Sequence, residues 1–239
     1  MTTSRFIIFC IAALSTSTMQ IACAQAEHKS TPQEERTAPV SPLNDIERAA
    51  PSSTGSGPGN AQTHHYKEIS HPTPNYDREK VNEVQGIILH HTAEPTVESS
   101  LNILTSKKRG VGTHVVIDTD GTRYVMCSPT TVTFHAGASL LDGRTGCNNF
   151  TIGIEFQGNT LEHPLTENQI YSAIEYMLPI IDKYHVPLRN IVTHEMIRTA
   201  YKKAHPGSRV YDKVDITPEE YQRFMKVFNE AWKRHNANK

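Results

Sequence analysis

Val84-Gln85-Gly86-Ile87-Ile88-Leu89-His90-His91 is a short aliphatic run that stops on two imidazoles. A run this brief, apolar on both of its alternating faces, reads as a strand covered on both sides of a sheet, with function at its C-terminal end. The blocks downstream supply the rest of a domain. Residues 98–108 are helix-like, with Leu101 and Leu104 on one face. Residues 114–118 and 122–126 flank Thr119-Asp120-Gly121, where Asp-Gly supplies the positive φ of a tight hairpin. Ile152 to Phe156 is a further strand. Thr166-Glu167-Asn168-Gln169 is a capping box opening an amphipathic helix with Ile170, Ile174, Met177 and Ile181 at helical spacing. Pro179 within that helix implies a kink or an early end. Ile191 to Thr193 is a short strand ending at His194, and Thr217-Pro218-Glu219-Glu220 starts a C-terminal helix running to about Lys233. The expected fold is a single α/β domain over 76–239, with a central mixed β-sheet flanked by helices.

Upstream of this block the texture changes. Residues 27–75 hold seven of the fourteen prolines, the run Ser52-Ser53-Thr54-Gly55-Ser56-Gly57-Pro58-Gly59 and few large apolar residues. Such a segment cannot bury enough surface to offset its ordering entropy, so it reads as a disordered linker in which His64, His65 and His71 are solvated. Residues 1–26 read as an export signal: Arg5, an apolar stretch from Phe6 to Leu14, then Ala24-Gln25-Ala26. A lipid anchor at Cys23 is the competing reading. The apolar run is short of the roughly 20 residues that cross a bilayer, so no transmembrane segment is expected in the mature chain. Cleavage after Ala26 leaves Cys127 and Cys147, which either pair in an oxidising compartment or stay as buried thiols. A net charge of −1 lacks the basic footprint of a nucleic-acid binder.

The chemistry is carried by histidine, of which the chain has thirteen. His90 and His194 each close an apolar strand. His205 follows His194 after ten residues, read as a loop, and Pro206-Gly207 fixes the backbone behind it. A catalytic zinc site needs three protein ligands and one open position, and neutral imidazole suits zinc. Spacing alone leaves open the alternative that these are core or surface residues.

From Glu83 to Phe228 the chain resembles the zinc-dependent N-acetylmuramoyl-L-alanine amidases, a superfamily that includes phage lysozyme-type amidases and animal peptidoglycan recognition proteins. Ile88-Leu89-His90-His91-Thr92-Ala93 is similar to the strand bearing the family's first ligand, with His90 as ligand and His91 not. Thr113 to Asp118, followed by Asp120-Gly121, is similar to its central hairpin. Phe134-His135-Ala136-Gly137 and Cys147-Asn148-Asn149-Phe150-Thr151-Ile152-Gly153-Ile154-Glu155 look like the bacterial muropeptide-recycling branch. The resemblance places the catalytic carboxylate at Glu155, the second ligand at His194 and a catalytic lysine at Lys203, two residues before the third ligand. That ligand falls on His205, where the family has Asp or Cys before Pro-Gly, so a three-histidine site is expected; Asp212 and Asp215 are next in line. His135 and Arg144 are the expected substrate-binding residues, with His114 in support. The resemblance implies one zinc ion per chain and a peptidoglycan or muropeptide partner, in an exported chain working as a monomer in the periplasm or outside the cell. The rival reading is a non-catalytic module that only binds peptidoglycan.

Overall fold

In a computed structural model, residues 65–210 and 215–239 are described. The expected export segment and most of the expected linker lie outside them. The aliphatic run ending at His90-His91 is β3 (Gly86–His91), buried at every position. Before it come β1 (Glu68–Ser70) and β2 (Tyr76–Val81), and after it α1 (Val97–Thr105), β4 (Val115–Ile117), β5 (Arg123–Val125) and β6 (Thr131–Thr133). The hairpin β7 (Leu140–Leu141) and β8 (Arg144–Thr145) leads to β9 (Thr151–Phe156), α2 (Glu167–Tyr184), β10 (Ile191–Thr193), α3 (His194–Ala204) and α4 (Pro218–Ala237).

Six strands form one mixed sheet in the order β1-β5-β4-β9-β3-β10. β3 and β9 sit inside it, parallel to each other and to their outer neighbours, while β4 and β5 form the antiparallel hairpin that Asp120-Gly121 announces. The side-chain period of two sorts the strands cleanly. Ile87, Leu89, Ile152, Ile154, Phe156, Val115 and Ile117 meet α2 and α4 in the main core. Ile88 and Val192 turn the other way, onto Ile197 of α3 and the loop carrying Ala136 and Cys147, and Val116 packs on α1 through Leu101 and Leu104. With helices on both faces, the free end of β3 and β9 is where side chains can reach solvent without leaving the scaffold.

Local signals behave as their chemistry requires. Thr166 and Gln169 form the reciprocal capping box of α2. Thr217 accepts the N–H of Glu220 at the start of α4, with Pro218 in the first turn. α2 runs through Pro179 to Tyr184 instead of ending there. One lost hydrogen bond is outweighed by the buried face of Met177, Ile180 and Ile181.

Two expectations are corrected. Residues 68–75 belong to the domain, not to a linker: β1 pairs with β5, and the Nδ2 of Asn75 donates to the carbonyls of Leu104, Ser106 and Val111, closing the end of α1. His71 donates its N–H to the Val125 carbonyl and packs edge-on to Tyr124. An edge strand of three residues, with Ile69 its only apolar side chain, is too short for its alternation to be read. The ten residues between His194 and His205 are not a loop but α3, N-capped by Thr193. Cys127 and Cys147 are both free thiols. Among the described residues, no helix is long and apolar enough to cross a membrane.

Candidate metal centre

β3 and β9 run in parallel register with His90 opposite Glu155, so both side chains leave the same face at the same level. β10 lies on the other side of β3 and hands directly to α3, which places His194 at the first helical position. Asp215, just ahead of the cap of α4, completes the group. His90, His194 and Asp215 offer one ligand atom each, all within 4.8 Å of one another. His90 is 1% exposed and Asp215 fully buried.

Bonding at the far side of each ring orients this cluster. The Nε2 of His194 lies 3.2 Å from the Ala136 carbonyl, which can only accept, so Nε2 carries the proton there. Its Nδ1 lies 2.7 Å from Oδ2 of Asp215, and the Nδ1 of His90 lies 3.6 Å from the same oxygen. Two imidazole nitrogens and a carboxylate oxygen thus converge, and with both rings neutral they form a donor set that a cation can bridge. Two neutral imidazoles and one carboxylate fit zinc, which takes nitrogen and oxygen donors and needs three protein ligands for a catalytic site. The residues present therefore fit the ion that the sequence resemblance implied, with a different third ligand.

His91 faces the opposite side. Its Nδ1 accepts the N–H of Thr160, whose hydroxyl donates to the Asp215 carbonyl and accepts the N–H of Thr217. His91 is a strut holding the backbone of Asp215, as expected of a non-ligand. His135 lies against the cluster, its Nδ1 3.1 Å from the Nε2 of His90. Burial, then the neighbouring imidazoles, hold His135 well below the usual histidine pKa. His114 is wholly buried behind it, where the Gly153 N–H donates to Nδ1 and Nε2 donates to the Thr131 carbonyl; burial pulls its pKa down to about 4. A cleft of about 250 Å³ opens over His90, His194, His135 and Glu155, walled on its other side by Ile103, Leu104, Val111 and Phe134.

Three expected site residues do not reach this cleft. His205 is exposed at the end of α3, stacked on Tyr201 with ring centroids 4.2 Å apart. Eleven residues of helix at about 1.5 Å each carry it roughly 16 Å along the axis from His194. Lys203 is exposed and lines a separate groove with Met196 and Tyr221 between α3 and α4. Arg144 lies over the Phe150 ring and pairs with Glu83 on the β7–β8 hairpin. The residue missed as a first choice is Asp215. Its signal is one of two aspartates, with Asp212, just before the helix cap Thr217, overshadowed by the Pro-Gly after His205.

The sheet presents His90 and Glu155 at its strand ends, with His194 opening α3 and Asp215 just ahead of α4, a donor set that could hold a metal ion. Residues 80–208 match the family model described as N-acetylmuramoyl-L-alanine amidase, and the chain belongs to that family. Over 99 residues it is 32% identical to the 1,6-anhydro-N-acetylmuramyl-L-alanine amidase AmpD of Haemophilus influenzae, covering 41% of this chain and 52% of that one. Over 139 residues it is 29% identical to the N-acetylmuramoyl-L-alanine amidase AmiD of Escherichia coli K12, covering 52% of this chain and 49% of that one. The chain thus spans about half the length of these relatives. In three dimensions it is similar to a selenomethionine derivative of AmpD, with a TM-score of 0.52 and 21% identity over 68% of this chain and 93% of the other, a likeness of fold.

Proposed function

We propose that the chain is a zinc-dependent amidase that hydrolyses the bond between N-acetylmuramic acid and L-alanine in peptidoglycan or its muropeptide fragments. The observation that carries this is the convergence of His90, His194 and Asp215 beside Glu155 at the head of a cleft. A module that only bound peptidoglycan would have no use for a full ligand set with a carboxylate next to it.

Amide hydrolysis needs an activated water, a stabilised oxyanion and a proton for the leaving amine. Zinc held by His90, His194 and Asp215 would acidify water and polarise the lactyl carbonyl. Glu155, paired with His90 across β9 and β3, would accept a proton from the attacking water and return it to the departing L-alanine nitrogen. The apolar wall of Leu104, Val111 and Phe134 suits the lactyl and alanyl methyl groups and a sugar face. The positive charge expected two residues before the third ligand moves with that ligand: Lys213 stands two residues before Asp215, as Lys203 does before His205. Lys213 lies outside the described residues, and its role rests on that spacing.

Export to the periplasm or cell exterior, by the signal in residues 1–26 or through a lipid on Cys23, completes the proposal. The test is mass spectrometry of sacculi and of soluble anhydromuropeptides after digestion. Release of free stem peptide starting at L-alanine is expected from the wild-type chain and not from Glu155→Gln; no such product from either substrate would refute the activity.

A further inference from the structure

The two candidate ligand rings have their outward nitrogens engaged by consecutive residues. Nε2 of His90 meets Nδ1 of His135, and Nε2 of His194 meets the carbonyl of Ala136. The direction of the first bond follows from what lies beyond it. The hydroxyl of Thr151 donates its one proton to the Cys147 carbonyl at 2.8 Å, so toward Nε2 of His135, 3.3 Å away, it can only accept. His135 therefore carries its proton on Nε2 and offers a lone pair on Nδ1. His90 in turn must donate from Nε2, which leaves its Nδ1 lone pair facing Asp215.

The segment that does this is itself held. Oδ1 of Asn148 accepts the N–H groups of both His135 and Ala136, at 3.0 and 2.7 Å, using both lone pairs of one carbonyl. Behind the His135 ring, β9 has Gly153, where any Cβ would sit 2.7 Å from the ring. The strand leaves space that the imidazole occupies. We propose that the segment His135-Ala136, clamped by Asn148, is a positioning element that sets the tautomer and tilt of both ligand imidazoles, turning their Nδ1 atoms toward Asp215. This rests on the metal reading above and reassigns His135 from contact with substrate to support of a ligand.

Loss of a partner behind a metal-bound imidazole typically weakens metal affinity about 10- to 100-fold. The experiment measures zinc dissociation constants of the full-length chain by competition with a chelating dye, with the melting temperature of the metal-free chain as control. His135→Phe keeps a ring but removes the acceptor, and zinc binding is expected to weaken by about 10-fold or more. His135→Asn, whose Oδ1 falls near the place of Nδ1, is expected to recover most of that loss. Thr151→Val, isosteric in the strand, frees the His135 tautomer and is expected to weaken binding, whereas Thr151→Ser is expected to restore it. A purely structural role would track side-chain volume, not the presence of the hydroxyl. Long-range 15N–1H spectra of the wild-type imidazoles should show His135 protonated on Nε2. Tight zinc binding by the wild type with His135→Phe and Thr151→Val unchanged overturns the positioning role alone. No zinc binding by the wild type overturns the metal reading itself.

Discussion

Replacing Gly153 by alanine places one methyl group where the structure leaves no space for it. The new Cβ would lie 2.7 Å from Cγ and Nδ1 of His135 and 2.8 Å from Oγ1 of Thr113. Carbon contacts are comfortable from about 3.5 Å, so the imidazole must retreat by about 0.8 Å. It has little room to do so and keep its bonds, since its contacts with His90 at 3.1 Å and Thr151 at 3.3 Å are already near the upper end of hydrogen-bond distance. Thr113 cannot yield freely either, because its hydroxyl donates to the Gly153 carbonyl at 2.9 Å. Overpacking of this kind costs about 1–3 kcal/mol, which at about 2–4 °C per kcal/mol for a domain of this size lowers the melting temperature by about 2–12 °C. Differential scanning calorimetry of the metal-free full chain reads the first effect, and a zinc competition titration reads the displaced imidazole as affinity lowered by about tenfold or more. A Gly153→Ala chain with the wild-type melting temperature and zinc affinity would refute the claim that this gap seats His135.

The remaining expectations separate the assignments one by one. Asp215→Ala should lose stoichiometric zinc and activity while His205→Ala keeps both, as read by elemental analysis and turnover; the reverse pattern would return the third ligand to His205. Lys213→Ala should lower kcat by at least about 100-fold, the usual loss for one oxyanion stabiliser, with Lys203→Ala near wild type. His114, with its pKa lowered to about 4 by burial, binds its proton less readily folded than unfolded. Its contribution to stability is therefore complete above about pH 6.5 and is lost as the pH falls toward 4, by up to about 3 kcal/mol. Urea unfolding across that range should show the loss, and His114→Gln should flatten it.

The parts of this molecule legible in the sequence are those whose signals are local. Ile87, Ile88 and Leu89 declare a doubly covered strand, and Asp120-Gly121 declares a hairpin. Thr166 to Gln169 declares a helix start that the reciprocal cap bears out. His90, His194 and Glu155 follow because each sits on or just after a readable strand. What escaped depends on distance through space. β1 is three residues with a single apolar side chain, Ile69, too short to signal a strand without its neighbour β5. α3 does carry a helical period in Met196, Ile197, Ala200, Tyr201 and Ala204, but it buries only Ile197 and Arg198 and is polar elsewhere, so the turn signal of Pro206-Gly207 dominates. His205 resembles the third ligand by its place before Pro-Gly, but α3 carries it away from His194, so a third donor has to come from beyond the helix. Asp215 is the candidate because Thr160 and His91 hold its backbone beside His90 and His194, a contact between residues far apart in sequence.

The most direct test of the account is the anomalous difference map at the zinc edge from crystals of the zinc-loaded chain. The account predicts a single strong peak about 2.0–2.2 Å from Nδ1 of His90, Nδ1 of His194 and Oδ2 of Asp215. A peak ligated by His205, or none among these three residues, would contradict it.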